Sequence, residues 1–433
     1  MNLEPYPHYK SSPDAWLGEI PDSWSSSPLK YVVTYNDDAL GEDTDPSTAI
    51  EYVEISDVSE TLGISGSTAV EFGAAPSRAR RVVREGDVLV STVRTYLRAV
   101  AQVPAAFDGA IASTGFGVLR AQRILPNFLG YAALSESFIS QVIARSVGVS
   151  YPAINASELV RAVVPRPALE EQRLIADYLD THTAKIDVLI EKQERLIEML
   201  AERRKAVISQ AVTKGLDPNA PMKNSGVEWL GSVPEGWAVG GLKRYGQLST
   251  GSTPSTEVRE NFDADEGRPW IRPQDLDPTV RGADGSLFLS PLGQGAVATV
   301  QPGSVLVVST AWSISKIGYT NVECATNQQI TAIQAPGCGE YLYLLLQAAK
   351  DEILASMVIN RLPIIGNARL GSLQLPIPPL DEQRTIAETL GRSTSHIDRL
   401  SMKAWEMIGI LKERRQALIS AAVTGKIDVR GLS

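Results

Sequence analysis

The stretch RPALEEQRLIADYL at Arg166–Leu179 is written again, with few changes, as IPPLDEQRTIAETL at Ile377–Leu390, 211 residues later. Extended in both directions, the match gives nine identities in the 17 positions from Val164 to Asp180 against Leu375 to Gly391. The register then holds without gaps: ERRKAVISQAVT from Glu202 meets ERRQALISAAVT from Glu413 at the same offset of 211. A third pair, WLGEIPDSW from Trp16 and WLGSVPEGW from Trp229, is offset by 213, so the regions between differ by two residues. Matches this dense at one register mean a duplicated plan, and that repeat decides the architecture.

Between the shared blocks the halves agree in outline and differ in detail. REGDVLVSTVR from Arg84 parallels QPGSVLVVSTAW from Gln301, each a Gly turn followed by an apolar run that reads as a buried strand. EYVEISDV from Glu51 parallels PWIRPQDL from Pro269 in the same way. Strands repeat while the loops after them diverge, as expected when one framework carries two recognition surfaces. The resulting class is α+β with a pseudo-two-fold internal repeat: residues 1–167 a mixed α/β unit, 168–214 a central helix, 215–378 the second mixed unit, and 379–433 a C-terminal helix and tail. GLDPNAPMKNSG from Gly215 has the composition of a linker.

Pro167, Pro378 and Pro379 stand where a helix can begin without losing an N–H bond, and Glu170, Glu171, Asp381 and Glu382 put negative charge on the first turns. Ile186, Leu189, Ile190, Leu196, Ile197, Leu200, Val207 and Ile208 then form an apolar stripe, matched by Ile397, Leu400, Met407, Ile408, Leu411, Leu418 and Ile419. Each stripe is too long for its own half to bury, so the expected partner is the other helix, in an antiparallel coiled-coil-like pair with one globular unit at each end. THTAK from Thr181 and RSTSH from Arg392 are rich in poor helix formers and predict a break or kink in each helix. Lys185 to Thr213 would measure roughly 43 Å, long enough to act as a ruler along about 12 base pairs. The end of the second helix is expected beside residues 10–24, closing the two-fold cycle.

Composition narrows the function. The chain has 433 residues, more than one core usually serves, and 43% hydrophobic content sufficient for several. No apolar run reaches membrane-span length and MNLEPYPHYK lacks the regions of a signal peptide, so a cytoplasmic protein is expected. Two cysteines, Cys324 and Cys338, and three dispersed histidines argue against a zinc cage or disulfide framework. A net charge of −9 argues against wrapping nucleic acid by bulk charge, while leaving room for local basic patches.

The twofold P-x-P-[AP]-L-[ED]-E-Q-R-x-I-A at Pro165 and Pro376, the ERR-x-A-[VL]-I-S blocks at Glu202 and Glu413, the WLG-x-[IV]-P-x-x-W blocks at Trp16 and Trp229, and GSTPS at Gly251 resemble the specificity subunit of type I restriction-modification systems over nearly the whole chain. The resemblance implies a non-catalytic reader of double-stranded DNA. Each globular unit would be a target recognition domain for one half of a split, asymmetric sequence, and the helices would set the spacer and dock two methyltransferase subunits. Restriction and translocase subunits would complete the complex, and S-adenosylmethionine, ATP and Mg would belong to the partners, with no cofactor in this chain. The residues agree: there is no phosphate-binding G-x-x-x-x-G-K-[ST], no G-x-G-x-x-G turn, no N-P-P-[FY]-type methyltransferase tetrapeptide and no metal-spaced histidine pair.

Candidate DNA contacts follow the predicted strands. Arg78, Arg80, Arg81, Arg84, Arg94 and Arg98 face only Glu85 and Asp87 in their stretch, and with Ser91, Thr92 and Tyr96 they offer phosphate clamps and base-edge readers. Asp37–Glu60, with nine acidic residues and no basic one, is expected to face away from phosphate. The second unit offers Arg272, Gln274, Ser309, Thr310, Trp312, Ser313, Lys316, Asn327 and Gln328, followed by Gln329. Asn and Gln pair bidentately with adenine and Arg with guanine, although such side chains equally cap turns and satisfy strands. The repeated tryptophans, Trp16, Trp24, Trp229 and Trp237, read as framework packing. Glu171, Gln172, Arg173, Glu382, Gln383 and Arg384 are the candidate partner contacts, with helix capping as the competing explanation. Two other functions remain open: a duplicated coiled-coil scaffold that binds proteins without DNA specificity, and a nuclease.

Overall fold

The computed structural model describes residues 4–148, 150–263, 266–276, 285–310, 316–359 and 363–431. Its contacts divide the chain into two compact units, residues 1–195 with 404–433, and residues 196–403.

In the first unit an antiparallel sheet has the order Val100–Gln102, Val88–Ser91, Phe116–Ala121, Val33–Tyr35. Its central strand, VLVS, is buried along its whole length. The two-residue alternation of a strand divides it between two cores. Val88 and Val90 point to a core shared with the helices Pro126–Leu134 and Glu136–Arg145, whereas Leu89 packs with Ala101, Phe116 and Val118 in a second. A neighbouring sheet pairs Ala49–Val53 with Ile111–Ser113 in parallel, flanked by Thr68–Glu71 and Ala79–Val82. The strand Val163–Arg166 pairs with Ser25–Pro28 and leads into the first long helix.

The second unit repeats the plan. Its antiparallel sheet runs Ile317–Tyr319, Val305–Val308, Ile330–Gln334, Gln247–Thr250. Val305 and Val307 join the core under the helix Gly339–Ala348, while Leu306 and Val308 face the other side. A parallel pair again lies beside it, Trp270 opposite Ala325 and Ile271 opposite Thr326.

The long helices are Leu169–Lys214 and Leu380–Val423, each with two acidic residues in its first turn. Neither is broken at Thr181–Lys185 or Arg392–His396, contrary to the propensity-based expectation. The hydroxyls there turn back onto the helix: Thr183 Oγ1 donates to Leu179 O at 2.7 Å and Thr394 Oγ1 to Leu390 O at 2.8 Å. Both threonines are buried, so tertiary packing outweighs intrinsic preference.

Within each unit the helix segments run antiparallel. In the first, Asp187 meets Arg415 at 2.9 Å while Ile175 and Leu179 cluster with Ile419, Ala422 and Val423. In the second, Arg204 meets Asp398 at 3.0 Å while Ile208, Ala211 and Val212 cluster with Ile386, Ala387 and Leu390. On these segments the buried residues are Ile186, Ile190, Ala404, Ile408, Leu411, Ile419 and Ala422 in the first unit and Leu200, Ile208, Ala211 and Ile397 in the second. The spacing is that of a heptad seam, and the two helices follow one series related by the repeat offset. Leu189, Leu196, Leu400 and Met407, drawn into the stripe from sequence, are instead 37–45% exposed. A two-helix seam covers a narrower face than a stripe taken at every third and fourth residue.

The cycle closes inside the first unit. The segment after the second long helix lies against the N-terminal hairpin Tyr9–Ser11 and Glu19–Pro21: Tyr9 Oη donates to Gly425 O at 2.8 Å, Lys426 Nζ to Glu19 O at 3.0 Å, and Ile427 and Val429 enter the core. In the second unit a lysine at the end of the helix bonds in a similar way, Lys214 Nζ donating to Leu230 O at 2.7 Å. Trp24 and Trp237 are buried and Trp229 packs against the core, as framework residues do, whereas Trp16 is 46% exposed.

Candidate nucleic-acid interface

In the first unit the strands ending at Val53, Ser91 and Ser113 deliver their following residues to one cleft of about 790 Å³. Its lining includes Glu54, Arg78, Thr92, Arg94, Leu97 and Thr114. Folding therefore brings Arg78, Thr92 and Arg94 together, and leaves Arg80, Arg81 and Arg84 outside the lining.

The local excess of arginine does not survive folding as free charge. The acidic run supplies partners: Glu54 pairs with Arg78, Asp38 lies 3.5 Å from Arg84, and Glu60 lies 4.0 Å from Arg98. Arg98 is held more firmly by Glu136, through two hydrogen bonds of 2.7 and 3.0 Å, and that bond raises its already high pKa. Arg80 lies over the Phe72 ring at 4.5 Å, and half-buried Arg81 has an Nε without a partner. Of the three exposed arginines of the stretch, Arg78 and Arg84 are carboxylate-paired. Arg94, whose guanidinium lies 5.0 Å over the Tyr151 ring, carries no carboxylate partner among the described residues. Ser91 is buried, with Oγ donating to Val93 O, and Thr92 Oγ1 donates to Gly115 O. Tyr96 is 51% exposed.

The second unit places Arg272, Ser309 and Asn327 after the corresponding strands. Arg272 bonds Asp275 and Ser286 and lies 5.7 Å over Trp270. Ser309 and Asn327 are buried, Ser309 Oγ donating to Gln329 O and Asn327 Nδ2 to Gln329 Oε1. Lys316 Nζ donates to Pro273 O, Thr310 is half-buried and bridges Ile364, and Gln328 engages Thr253. Gln274 is exposed. Trp312 and Ser313 lie outside the described residues.

At the starts of the long helices the Glu-Gln pairs serve the interior. Glu171 accepts from Tyr6 Oη at 2.8 Å and Glu382 from Trp237 Nε1 at 2.9 Å. Gln172 and Gln383 are buried and donate to Pro167 O and Pro378 O. Arg173 and Arg384 stay exposed, next to Asp177 and Asp381. The residues that sequence reasoning missed are Tyr151, Glu136 and Asn367, which bonds Thr331 and Thr250. Each acts on a partner dozens of residues away, where no local pattern points. Among the described residues no group of three or more His, Cys, Asp or Glu could hold a metal ion, and no helix is long and apolar enough to cross a membrane.

The model of the type I restriction modification DNA specificity domain matches residues 32–199 and again 234–401. The putative type I restriction enzyme MjaX specificity subunit of Methanocaldococcus jannaschii is 24% identical over 438 aligned positions, 96% of each chain. The EcoKI specificity subunit of Escherichia coli K12 is 23% identical over 207 positions, 46% of this chain and 44% of that one. Among solved structures, a chain from work on complex assembly and conformational transition of the type I R-M system shares the fold with a TM-score of 0.74, at 24% identity over 94% of this chain and 99% of that one. The HsdS subunit from Thermoanaerobacter tengcongensis aligns at 25% identity with a TM-score of 0.50, over 94% and 98% of the two chains. With two copies of the specificity domain on one strand plan and a long helix after each, this chain belongs to the family of type I restriction-modification DNA specificity subunits.

Proposed function

We propose that this subunit reads a split, asymmetric DNA sequence, each unit taking one half-site through the loops that follow its parallel strand pair and the adjacent central strand. The observation that carries this reading is one order of the antiparallel sheet, with one parallel pair beside it, bearing two different sets of side chains after the same strands: Glu54, Thr92, Arg94 and Thr114 in the first unit, Arg272, Ser309, Thr310, Asn327 and Gln328 in the second. A reader of two unlike half-sites needs that division between scaffold and tips. Chemistry belongs to partners. Two methyltransferase subunits would dock on the helices, where Val188, Leu189, Trp405, Met407 and Ile410 of the first unit and Leu196, Met199, Leu400 and Met402 of the second stand exposed. Methyl transfer from S-adenosylmethionine and ATP-driven, Mg-dependent translocation would take place in methyltransferase and restriction subunits in the cytoplasm. The acidic net charge of −9 suits a subunit whose partners enclose the duplex and neutralise its phosphates.

The test is genome-wide methylation mapping in cells carrying this chain with its methyltransferase partner. A methylated motif of two short halves separated by an unspecified gap is expected. Methylation without a split motif, or DNA cleavage by the purified chain alone with a divalent metal, would reject the reading.

A further inference from the structure

We infer that Arg94, which lies over the Tyr151 ring, reads a guanine in the half-site taken by the first unit, and that Arg98 is the residue that positions it. The inference rests on the DNA-reading function proposed above and adds which residue reads which base.

The loop after Val88–Ser91 is built against its own backbone preference. Arg94 has φ +49° and Arg98 φ +53°, flanking the single 3-10 turn Thr95–Leu97. Side-chain-bearing residues seldom adopt this conformation, and a strained turn persists only where its surroundings hold it. Here they do. Ser91 Oγ donates to Val93 O at 2.6 Å, Arg94 N donates to Pro152 O at 2.8 Å, and the Thr95 and Ser146 hydroxyls meet at 2.7 Å. Arg98 closes the far end through its two bonds to Glu136. What the loop presents is Arg94, with Tyr96 and Leu97 about half exposed beside it.

Two observations favour a base reader over a phosphate clamp. A phosphate contact needs only positive charge, whereas the Arg94 guanidinium lies over the Tyr151 ring at 5.0 Å, a setting suited to a planar group. A planar pair of donors fits O6 and N7 of guanine. In the same cleft Arg78 is taken up by Glu54, which leaves Arg94 as the guanidinium free of a carboxylate among the described lining residues. Arg98, by contrast, has its donors committed to Glu136, so it cannot be a reader without dismantling the turn.

The test uses the complex of this chain with its methyltransferase subunits and methylation mapping of Arg94→Ala, Arg94→Lys, Arg98→Ala and the Arg94→Ala/Arg98→Ala double variant. Arg94→Ala and Arg94→Lys should each relax one position of one half-site from G towards any base, with preference falling on the order of 10-fold or more. The gap and the other half should keep their letters. Arg98→Ala should relax that same position, and the double variant should relax nothing further, which a merely structural arginine would not produce. Unchanged letters in both Arg94 variants, or binding weakened equally at all sequences with a smaller salt dependence, would make Arg94 a phosphate contact and overturn the inference. Absence of any split motif in the unmodified complex would instead sink the DNA-reading function itself.

Discussion

Two glycines that end the long helices offer a matched pair of perturbations. Gly425 and Gly215 both follow a helix in the left-handed region, at φ +72° and +78°. A side chain at either carries backbone strain of about 1–2 kcal/mol. Their surroundings differ. A Cβ on Gly425 would stand 2.4 Å from Cδ and 2.5 Å from Cγ of Pro21, a buried ring that cannot rotate away, and 3.2 Å from Trp24. A Cβ on Gly215 would stand at 3.4 Å from Trp237 and 3.5 Å from Glu382, ordinary contact distances. Gly215→Ala should therefore cost only the strain, and Gly425→Ala a further ~1–3 kcal/mol of overpacking. Hydrogen exchange reads this locally through the Asp428 amide, which donates to Glu4 O at 2.8 Å, and the Lys426 amide, which donates to Ala421 O at 2.8 Å. With tenfold per ~1.4 kcal/mol, those amides should exchange roughly 30-fold faster or more in Gly425→Ala, with little change in the second unit. Equal effects of the two substitutions on their own units would mean that the C-terminal segment does not bear on Pro21, and the closure described for the first unit would be wrong.

Arg120→Met should destabilise the first unit by about 3–5 kcal/mol in urea titration, because it strips two guanidinium bonds of 2.9 and 2.8 Å from Asp87, which is 2% exposed; adding Asp87→Asn should recover much of the loss. Burial pushes the Cys324 thiol up to about 11, so the folded state holds its proton more tightly than the unfolded chain. The stability linked to that proton is complete below about pH 8.5 and is lost as pH rises towards 11, and native protein at pH 8 should resist thiol reagents at Cys324. A double-mutant cycle on Asp187 and Arg415 should give a coupling of about 0.5–1 kcal/mol, modest because Asp187 is 42% exposed; zero coupling would remove that ion pair from the helix register. Gln172→Leu should cost at least ~1 kcal/mol more than Gln383→Leu, since Gln172 also accepts from Leu125 N at 2.9 Å, whereas Gln383 Oε1 is buried without a partner.

The duplicated blocks made the two units legible, because their matched strands and helices require only periodicity and turn chemistry. VLVS and VLVV read as buried central strands, and both are buried throughout. Surface charge was less legible. A window with six arginines becomes a surface with one exposed arginine free of carboxylate among the described residues once Asp38, Glu54 and Glu136 fold against it, and two of those come from the acidic run Asp37–Glu60. Tyr151 was invisible for the same reason: it reaches Arg94 only because Val93 bridges to Ala153. The helix break failed differently, since propensity describes an isolated helix and Thr183 and Thr394 sit in buried contacts that isolated helices lack.

The repeated Pro-x-x-x-Glu-Gln sequences show why repetition alone does not identify a docking site. Both glutamines donate to the carbonyl of a proline five residues earlier, at 2.9 and 2.8 Å, closing the turn from which each long helix starts. That bond is the shared part. The rest diverges: Glu171 takes its proton donor from Tyr6 and leaves Trp24 Nε1 unpartnered, whereas Glu382 takes the equivalent indole, Trp237. Gln172 Oε1 caps the loop before Pro126–Leu134, but in the other copy the Cys338 amide is spent on Ala335 O. The matched Glu-Gln atoms thus face inward, while the matched arginines, Arg173 and Arg384, stay exposed in both copies. The repeated glutamine bond at these sites is therefore accounted for by the geometry of starting a helix, and repetition of the Glu-Gln pair does not by itself require a partner.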